Sequence, residues 1–392
     1  MDKKMNKIEK LIKDFCPDGV EFRSLKSVAN SITTGKLNAN AQVEDGEYPF
    51  FTCDANPFKI DVYAFDVEAI IVSGNGSQVG HINYYHGKFN AYQRTYVISE
   101  FNDINVRYLL HFLKGYLREY IFTNSRKGSV PYITMPMLEN FIVPIPPLVV
   151  QKEIVKILDN FTALEAGLEA ELEGRRKQYE YYRNELLTFT DRQTDRTRWV
   201  MLNEIIDFMN GKGHEKDIDE NGKYVVVNSK FVSTEGKVKK YSARQICPIL
   251  RNDILMVMSD LPNGKALAKC FYVDEDDKYT LNQRICALTV KDDKDLNAKY
   301  LFYVLNRNRR LLKYDNGADQ TNLRKNDILE IKVPIPTMSE QERIVDILDK
   351  FDALVNDISI GLPAELNARR KQYEFYRDQL LTFKSLEMQN AN

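Results

Sequence analysis

Two stretches of the chain carry apolar residues at steps of mostly three and four. The first runs through Ile154, Ile157, Phe161, Leu164, Leu168, Leu172, Tyr179, Tyr182, Leu186 and Phe189. The second runs through Leu362, Leu366, Tyr373, Tyr376, Leu380 and Phe383. Such steps put the residues on one helical face, and Leu172, Tyr179 and Leu186 repeat at heptad spacing, as do Leu366, Tyr373 and Leu380. Both stretches therefore predict long amphipathic helices with a seam. A helix over 147–189 would be ~60 Å long at about 1.5 Å per residue.

The two stretches are copies of each other. Arg175-Arg176-Lys177-Gln178-Tyr179-Glu180-Tyr181-Tyr182-Arg183 returns as Arg369-Arg370-Lys371-Gln372-Tyr373-Glu374-Phe375-Tyr376-Arg377. Upstream, Val143-Pro144-Ile145-Pro146 with Gln151 and Ile157-Leu158-Asp159 returns as Val333-Pro334-Ile335-Pro336 with Gln341 and Ile347-Leu348-Asp349. A repeat of this kind sets the architecture. The second copy holds four extra residues, about one helical turn, so its apolar face survives. Gly361-Leu362-Pro363 predicts a fresh helix there, with the proline in its first turn, whereas the first copy runs through. Two near-identical seams in one chain favour packing on each other over each capping its own domain.

The intervening sequence is mixed. Residues 6–15 read as a short helix ended by Cys16-Pro17-Asp18-Gly19. Strand patterns cover 66–72, 81–85 and 95–98, with counterparts at 253–258 and 268–273. A polar glycine loop follows the first strand of each set, 73–78 and 259–265. Gln93-Arg94 recurs as Gln283-Arg284, Gly35-Lys36 as Gly211-Lys212. Helices are predicted over 108–120 and 299–312, each leading to a basic or amide-rich loop. The Val-Pro-Ile-Pro segments suit extended hinges. The expected division is a first domain over 1–142, a spacer over 143–190, a second domain over 191–332, and a second spacer with tail over 333–392.

Composition narrows the classes. A chain of 392 residues with 43% hydrophobic and 28% charged residues is an ordinary globular composition. No apolar run approaches a membrane span or a signal h-region, so no membrane partner and a cytoplasmic location are expected. The five cysteines are scattered, which disfavours a disulfide framework or zinc knuckle. The net charge is −1, but residues 191–332 hold 26 Lys/Arg against 22 Asp/Glu, a balance of +4. The repeat segments are acidic, 6 against 8 over 151–190 and 7 against 10 over 333–392. Nucleic-acid binding, if present, belongs to the domains.

Catalytic signatures are weak. Asn56-Pro57-Phe58 lacks the second proline of an amino-methyltransferase pocket. Gly74-x-Gly76 lacks dinucleotide spacing, and Gly264-Lys265 is followed by alanine rather than Ser/Thr. His81, His86, His111 and His214 form no ligand pair on a helix. No catalytic or metal residue is assigned. Recognition has better material, because amide and Arg/Lys side chains pair bidentately with base edges. The candidates are Asn75, Gln78, Gln93, Arg94 and Lys127 in the first half. In the second they are Asn263, Lys265, Gln283, Arg284, Gln320, Asn322 and Arg324.

The order domain, helix, domain, helix, with Gln341-Glu342-Arg343-Ile344-Val345, Gly361 through Glu374, Cys16 through Val20 and Phe89 through Tyr96, resembles the specificity (S) subunit of type I restriction–modification systems. The resemblance implies an α+β fold with two similar target-recognition domains separated by two repeat helices packed as an antiparallel coiled coil. It implies double-stranded DNA as ligand, each domain reading one half of a bipartite asymmetric site. It implies docking of two methylation (M) subunits and of restriction (R) subunits. No cofactor is expected in this chain, since S-adenosylmethionine, ATP and Mg would serve the partners' methylation and ATP-dependent cleavage. Val149-Val150 departs from the polar pair Ser339-Glu340 at the first helix cap. The competing reading is a coiled-coil interaction or structural protein that reads no bases.

Overall fold

The computed structural model describes residues 2–125, 131–189, 197–214, 216–261, 266–315, 319–357 and 359–386, with side chains from Lys7 onward. Contacts divide the chain into two compact units. One comprises Met1–Glu171 with Ala364–Asn392, and the other Leu172–Pro363.

The first unit is built on a six-stranded sheet. Its order is Ala29–Thr34, Thr95–Phe101, Phe65–Ser73, Ile82–Ala91, Tyr48–Phe51 and Phe58–Ile60. The apolar run Ile70-Ile71-Val72 lies in a central strand and is buried on both faces, as such runs are when both sheet faces are covered. One face receives the helix Val106–Asn124 through Leu109, Leu113, Leu117 and Ile121. The other buries Phe51, Ile71, Phe89 and Val97. Asn105 caps that helix, its side chain accepting from the Arg107 and Tyr108 amides.

The second unit repeats the plan with smaller sheets. Ile206–Asn210, Ile285–Val290, Ile254–Val257 and Cys270–Tyr272 form one sheet in that order. Tyr241–Ser242, Tyr224–Val227 and Tyr279–Leu281 form another. The helix Ala298–Leu305 is capped by Asn297 in the same way. The single helix expected over 299–312 is two, Ala298–Leu305 and Arg309–Leu312. Arg307 adopts φ +56° and donates its amide to Ala268 O, and Asn306 turns its side chain to the Cys270 amide. Asn308 then starts the second piece by accepting from the Arg310 amide.

The Val-Pro-Ile-Pro segments are strands rather than free hinges. Ile142–Ile145 pairs antiparallel with Glu21–Ser24, and Lys332–Ile335 with Arg198–Met201. Each ribbon ties the end of a domain to its beginning. The first repeat forms one unbroken helix, Leu148–Leu187. The second forms Met338–Asn356 and Leu362–Leu381, with Pro363 in the first turn of the latter. Between them a side chain on Gly361 would stand 2.3 Å from the Ala353 carbonyl oxygen, so the turn needs glycine.

Candidate nucleic-acid interface

In the first unit four connections meet at one end of the six-stranded sheet. The Gly74 amide donates to Arg94 O at 2.9 Å, and Gly74 O accepts from the Ile133 amide at 2.8 Å. The Tyr92 amide donates to Phe51 O and the Gln93 amide to Leu37 O, both at 2.9 Å. In the second unit the same scheme recurs. Met258 N reaches Arg284 O at 3.0 Å, Leu323 N reaches Met258 O at 2.7 Å, and Asn282 N reaches Val227 O at 3.1 Å. The Gln-Arg pairs thus occupy the same node of both domains. The arginine carbonyls hold the rim together, and the side chains of both pairs are exposed.

The rim residues are not equivalent in availability. Asn75 accepts from the Cys53 thiol at 3.0 Å, and the Gln93 amide group donates to Asn38 Oδ1 at 3.0 Å. Gln78 and Arg94 are exposed, and their side chains make no hydrogen bond among the described residues. Gly74 is required by the fold rather than by a ligand, because a Cβ there would stand 2.3 Å from Arg94 O. Gln78 also lines a cleft with Lys114 and Arg118. Those two cations lie one helical turn apart on Val106–Asn124, and no motif in the sequence marks them.

In the second unit Ser259–Asp260 pairs with Thr321–Asn322, bringing together the two loops predicted from sequence. Gln320 Nε2 donates to Ser259 Oγ at 2.8 Å. Asp260 accepts from the amides of Leu261, Ala266 and Leu267, fastening both ends of the intervening loop. Arg284 and Arg324 are exposed. Lys127, Asn263 and Lys265 lie outside the described residues. His214 is fully buried, its ring nitrogens satisfied by Lys212 O and Thr280 Oγ1 at 2.7 and 2.8 Å. It is a core histidine. No group of three metal-ligating side chains exists among the described residues.

The repeat phrases have specific work. Gln151 is buried, accepts from the Asn105 amide at 2.8 Å and donates to Pro146 O at 2.7 Å. Gln341 accepts from Asn297 at 2.9 Å and donates to Pro336 O at 2.9 Å. Tyr108 and Tyr300 donate to the carbonyls of Pro144 and Pro334. Asp159 binds Arg107 and His111 at 2.9 and 2.8 Å, while Asp349 binds Lys299 at 2.7 Å and accepts from Tyr303. Burial would raise the Asp159 carboxyl, but Arg107 and His111 outweigh it and hold it below its usual value. Burial in turn pushes the His111 imidazole down, against the pull of Asp159.

The seam residues lie against the domain cores. Leu172, Leu366 and Leu380 are buried. Tyr373, Tyr376 and Phe383 pack on the core of the first unit, and Tyr179, Leu186 and Phe189 on that of the second. Tyr182 is 41% exposed, with its ring 5.7 Å from Phe351. In the first unit Phe161 stacks on Tyr376 at 5.3 Å, and Glu165 and Glu169 meet Arg370. Numbers rise along one helix as they fall along the other, so this packing is antiparallel. His111 Nδ1 lies 3.0 Å from the Tyr373 hydroxyl, which burial pushes up to about 12. In the second unit Tyr179 and Tyr182 meet Phe351. The early phrase of one repeat therefore pairs with the late phrase of the other, and both lean on the domain helix.

Two similar α+β domains, each with a loop rim at a sheet end and a helical clamp, define a two-domain recognition scaffold. A family model described as the type I restriction modification DNA specificity domain matches residues 17–174 and 198–368. The specificity subunit of the type I restriction enzyme EcoR124I/EcoR124II of Escherichia coli is 35% identical over 68% of this chain and 66% of its own length. A putative type I restriction enzyme specificity subunit of Haemophilus influenzae is 27% identical over 93% and 96%. The crystal structure of a type I restriction–modification S subunit from M. genitalium superposes with a TM-score of 0.58 at 17% identity, covering 93% of this chain and 96% of that one. The chain belongs to the type I restriction–modification DNA specificity family. Among the described residues no helix is long and apolar enough to cross a membrane.

Proposed function

We propose that each unit reads one half of a bipartite, asymmetric double-stranded DNA site through its rim, and that the repeat helices set the spacing and dock two methylation subunits and the restriction subunits. The observation that carries this reading is the shared node at Arg94 and Arg284. The same backbone scheme presents an exposed Gln-Arg pair in both domains, while the loops around it differ. A shared frame with unlike loops suits two different half-sites. The chain itself is a non-catalytic recognition subunit, and S-adenosylmethionine, ATP and Mg serve its partners in the complex.

The test is methylome sequencing of the source cell with and without the gene. Loss of one split methylated motif is expected. No loss would overturn the reading in favour of an interaction protein that reads no bases. Purified chain should bind the bipartite duplex with strong salt dependence, since phosphate contacts dominate affinity. Deleting one helical turn from one repeat should change the preferred gap between half-sites without changing their bases.

A further inference from the structure

The second unit carries a cleft of about 310 Å³ whose lining includes Arg183, Asn184, Trp199, Arg309, Arg310 and Lys332. It is formed by the end of the helix Leu148–Leu187, the ribbon Arg198–Met201 with Lys332–Ile335, and the short helix Arg309–Leu312. Its described lining contains no carboxylate. Arg183 is fixed by donating to Tyr303 O at 3.2 Å and to Asn306 O, while its Nε is buried without a partner. Arg310 lies over the Trp199 ring, 5.5 Å from the centroid, and donates to Lys332 O at 2.8 Å. Arg309 and Lys332 are exposed, and their side chains form no ion pair among the described residues.

The matching position of the other repeat is neutralised. There Arg377 donates to Asp378 at 2.9 and 2.7 Å. In the first repeat the residue after the arginine is Asn184, so the carboxylate is gone. Like charges gathered without a counter-charge raise the local potential and favour an anion. Guanidinium groups match phosphate bidentately. Trp199 is 40% exposed, which leaves indole surface for a planar base to stack on. The volume falls at the lower end of small-ligand sites, about 300–1,000 Å³.

We propose that this cleft binds the phosphate group of a nucleotide unit, held by Arg183, Arg309, Arg310 and Lys332, with its base against Trp199. The proposal is independent of base reading at the rims. Trp199 is the single tryptophan of the chain, so its fluorescence reports the site directly in the full-length protein. Probes are pyrophosphate, ATP, adenosine, a short duplex of arbitrary sequence, and a glutamate peptide. A saturable change is expected with phosphate-bearing probes and none with adenosine. Response to ATP and pyrophosphate identifies a free nucleotide as the source, and response to duplex alone identifies DNA backbone. Arg309→Ala with Lys332→Ala should weaken binding about tenfold, the worth of one charge-assisted hydrogen bond. Asn184→Asp, which restores the carboxylate beside Arg183, should weaken it several-fold with the fold intact by circular dichroism. The proposal is overturned if no phosphate-bearing probe moves the signal. An equal response to the glutamate peptide, or unchanged binding in folded Asn184→Asp, overturns it too.

Discussion

Gln341 joins a repeat helix to its domain, and its removal has a calculable cost. Its side chain makes three hydrogen bonds: it accepts from Asn297 N at 2.9 Å and donates to Pro336 O and Asp295 O at 2.9 and 3.0 Å. The residue is fully buried. A net hydrogen bond is worth about 0.5–1.5 kcal/mol, and a partner left unsatisfied in the interior costs more. Loss of a buried methylene adds about 0.8 kcal/mol. Gln341→Ala should therefore destabilise the second unit by about 3–4 kcal/mol. Trp199 lies on the strand paired with Lys332–Ile335, the residues just before Pro336, so urea unfolding followed by its fluorescence reads the right region. With a slope of about 2 kcal/mol per molar urea, the midpoint should fall by about 1.5–2 M. Gln341→Glu keeps the acceptor but sets a carboxylate against two carbonyl oxygens, and should be no milder than alanine. A midpoint shift below about 0.5 M for the alanine variant, at unchanged slope, would refute the anchoring argument.

Acid should loosen the first unit. Burial depresses the His111 pKa, so the neutral ring stabilises the fold fully above the ordinary histidine value and the contribution is lost as pH falls through the depressed one. Hydrogen-exchange protection of Val106–Asn124 should drop between pH 7 and 5, and His111→Gln should flatten that slope; a flat wild-type profile would contradict this. Arg94→Ala and Arg284→Ala should leave the fold intact, because only their carbonyls tie the rim. Each should relax base preference within one half-site by about 1–3 kcal/mol in a randomised-site selection, and unchanged preference would remove that arginine from the interface. Among the cysteines, Cys53 should be labelled first by iodoacetamide in the native chain, since Cys270 and Cys286 are buried and burial pushes the Cys286 thiol up to about 12. Mass spectrometry showing equal rates for Cys286 and Cys53 would contradict it.

Legibility in the sequence followed the range of the interaction. The helix break at Gly361-Leu362-Pro363 was readable because backbone sterics are local. The continuous strand at Ile70-Ile71-Val72 was readable because its apolar run is local too. The break after Leu305 was not, because it depends on Ala268 O and the Cys270 amide, more than thirty residues away. Asn75 and Gln93 looked like free amides, yet each is held by a residue from another loop, Cys53 and Asn38. Lys114 and Arg118 are not marked by the sequence, because a helix pattern shows which residues face outward, not which loop lies opposite.

The repeat illustrates the same limit at larger scale. Periodicity shows which face of each copy is apolar but is silent on what covers it. Near-identity of the two late phrases suggested that they cover each other. In the structure each fits the same kind of socket, made of an early phrase and a domain helix: Tyr376 against Phe161 with Tyr373 at His111, and Tyr182 against Phe351 with Arg183 at Tyr303 and Asn306. Two similar sockets are enough to keep two phrases alike. The places where the copies differ are then the informative ones. Asp378 closes an ion pair that Asn184 leaves open, and on the ribbons Lys332 and Trp199 stand where the first copy has Ile142 and Phe22.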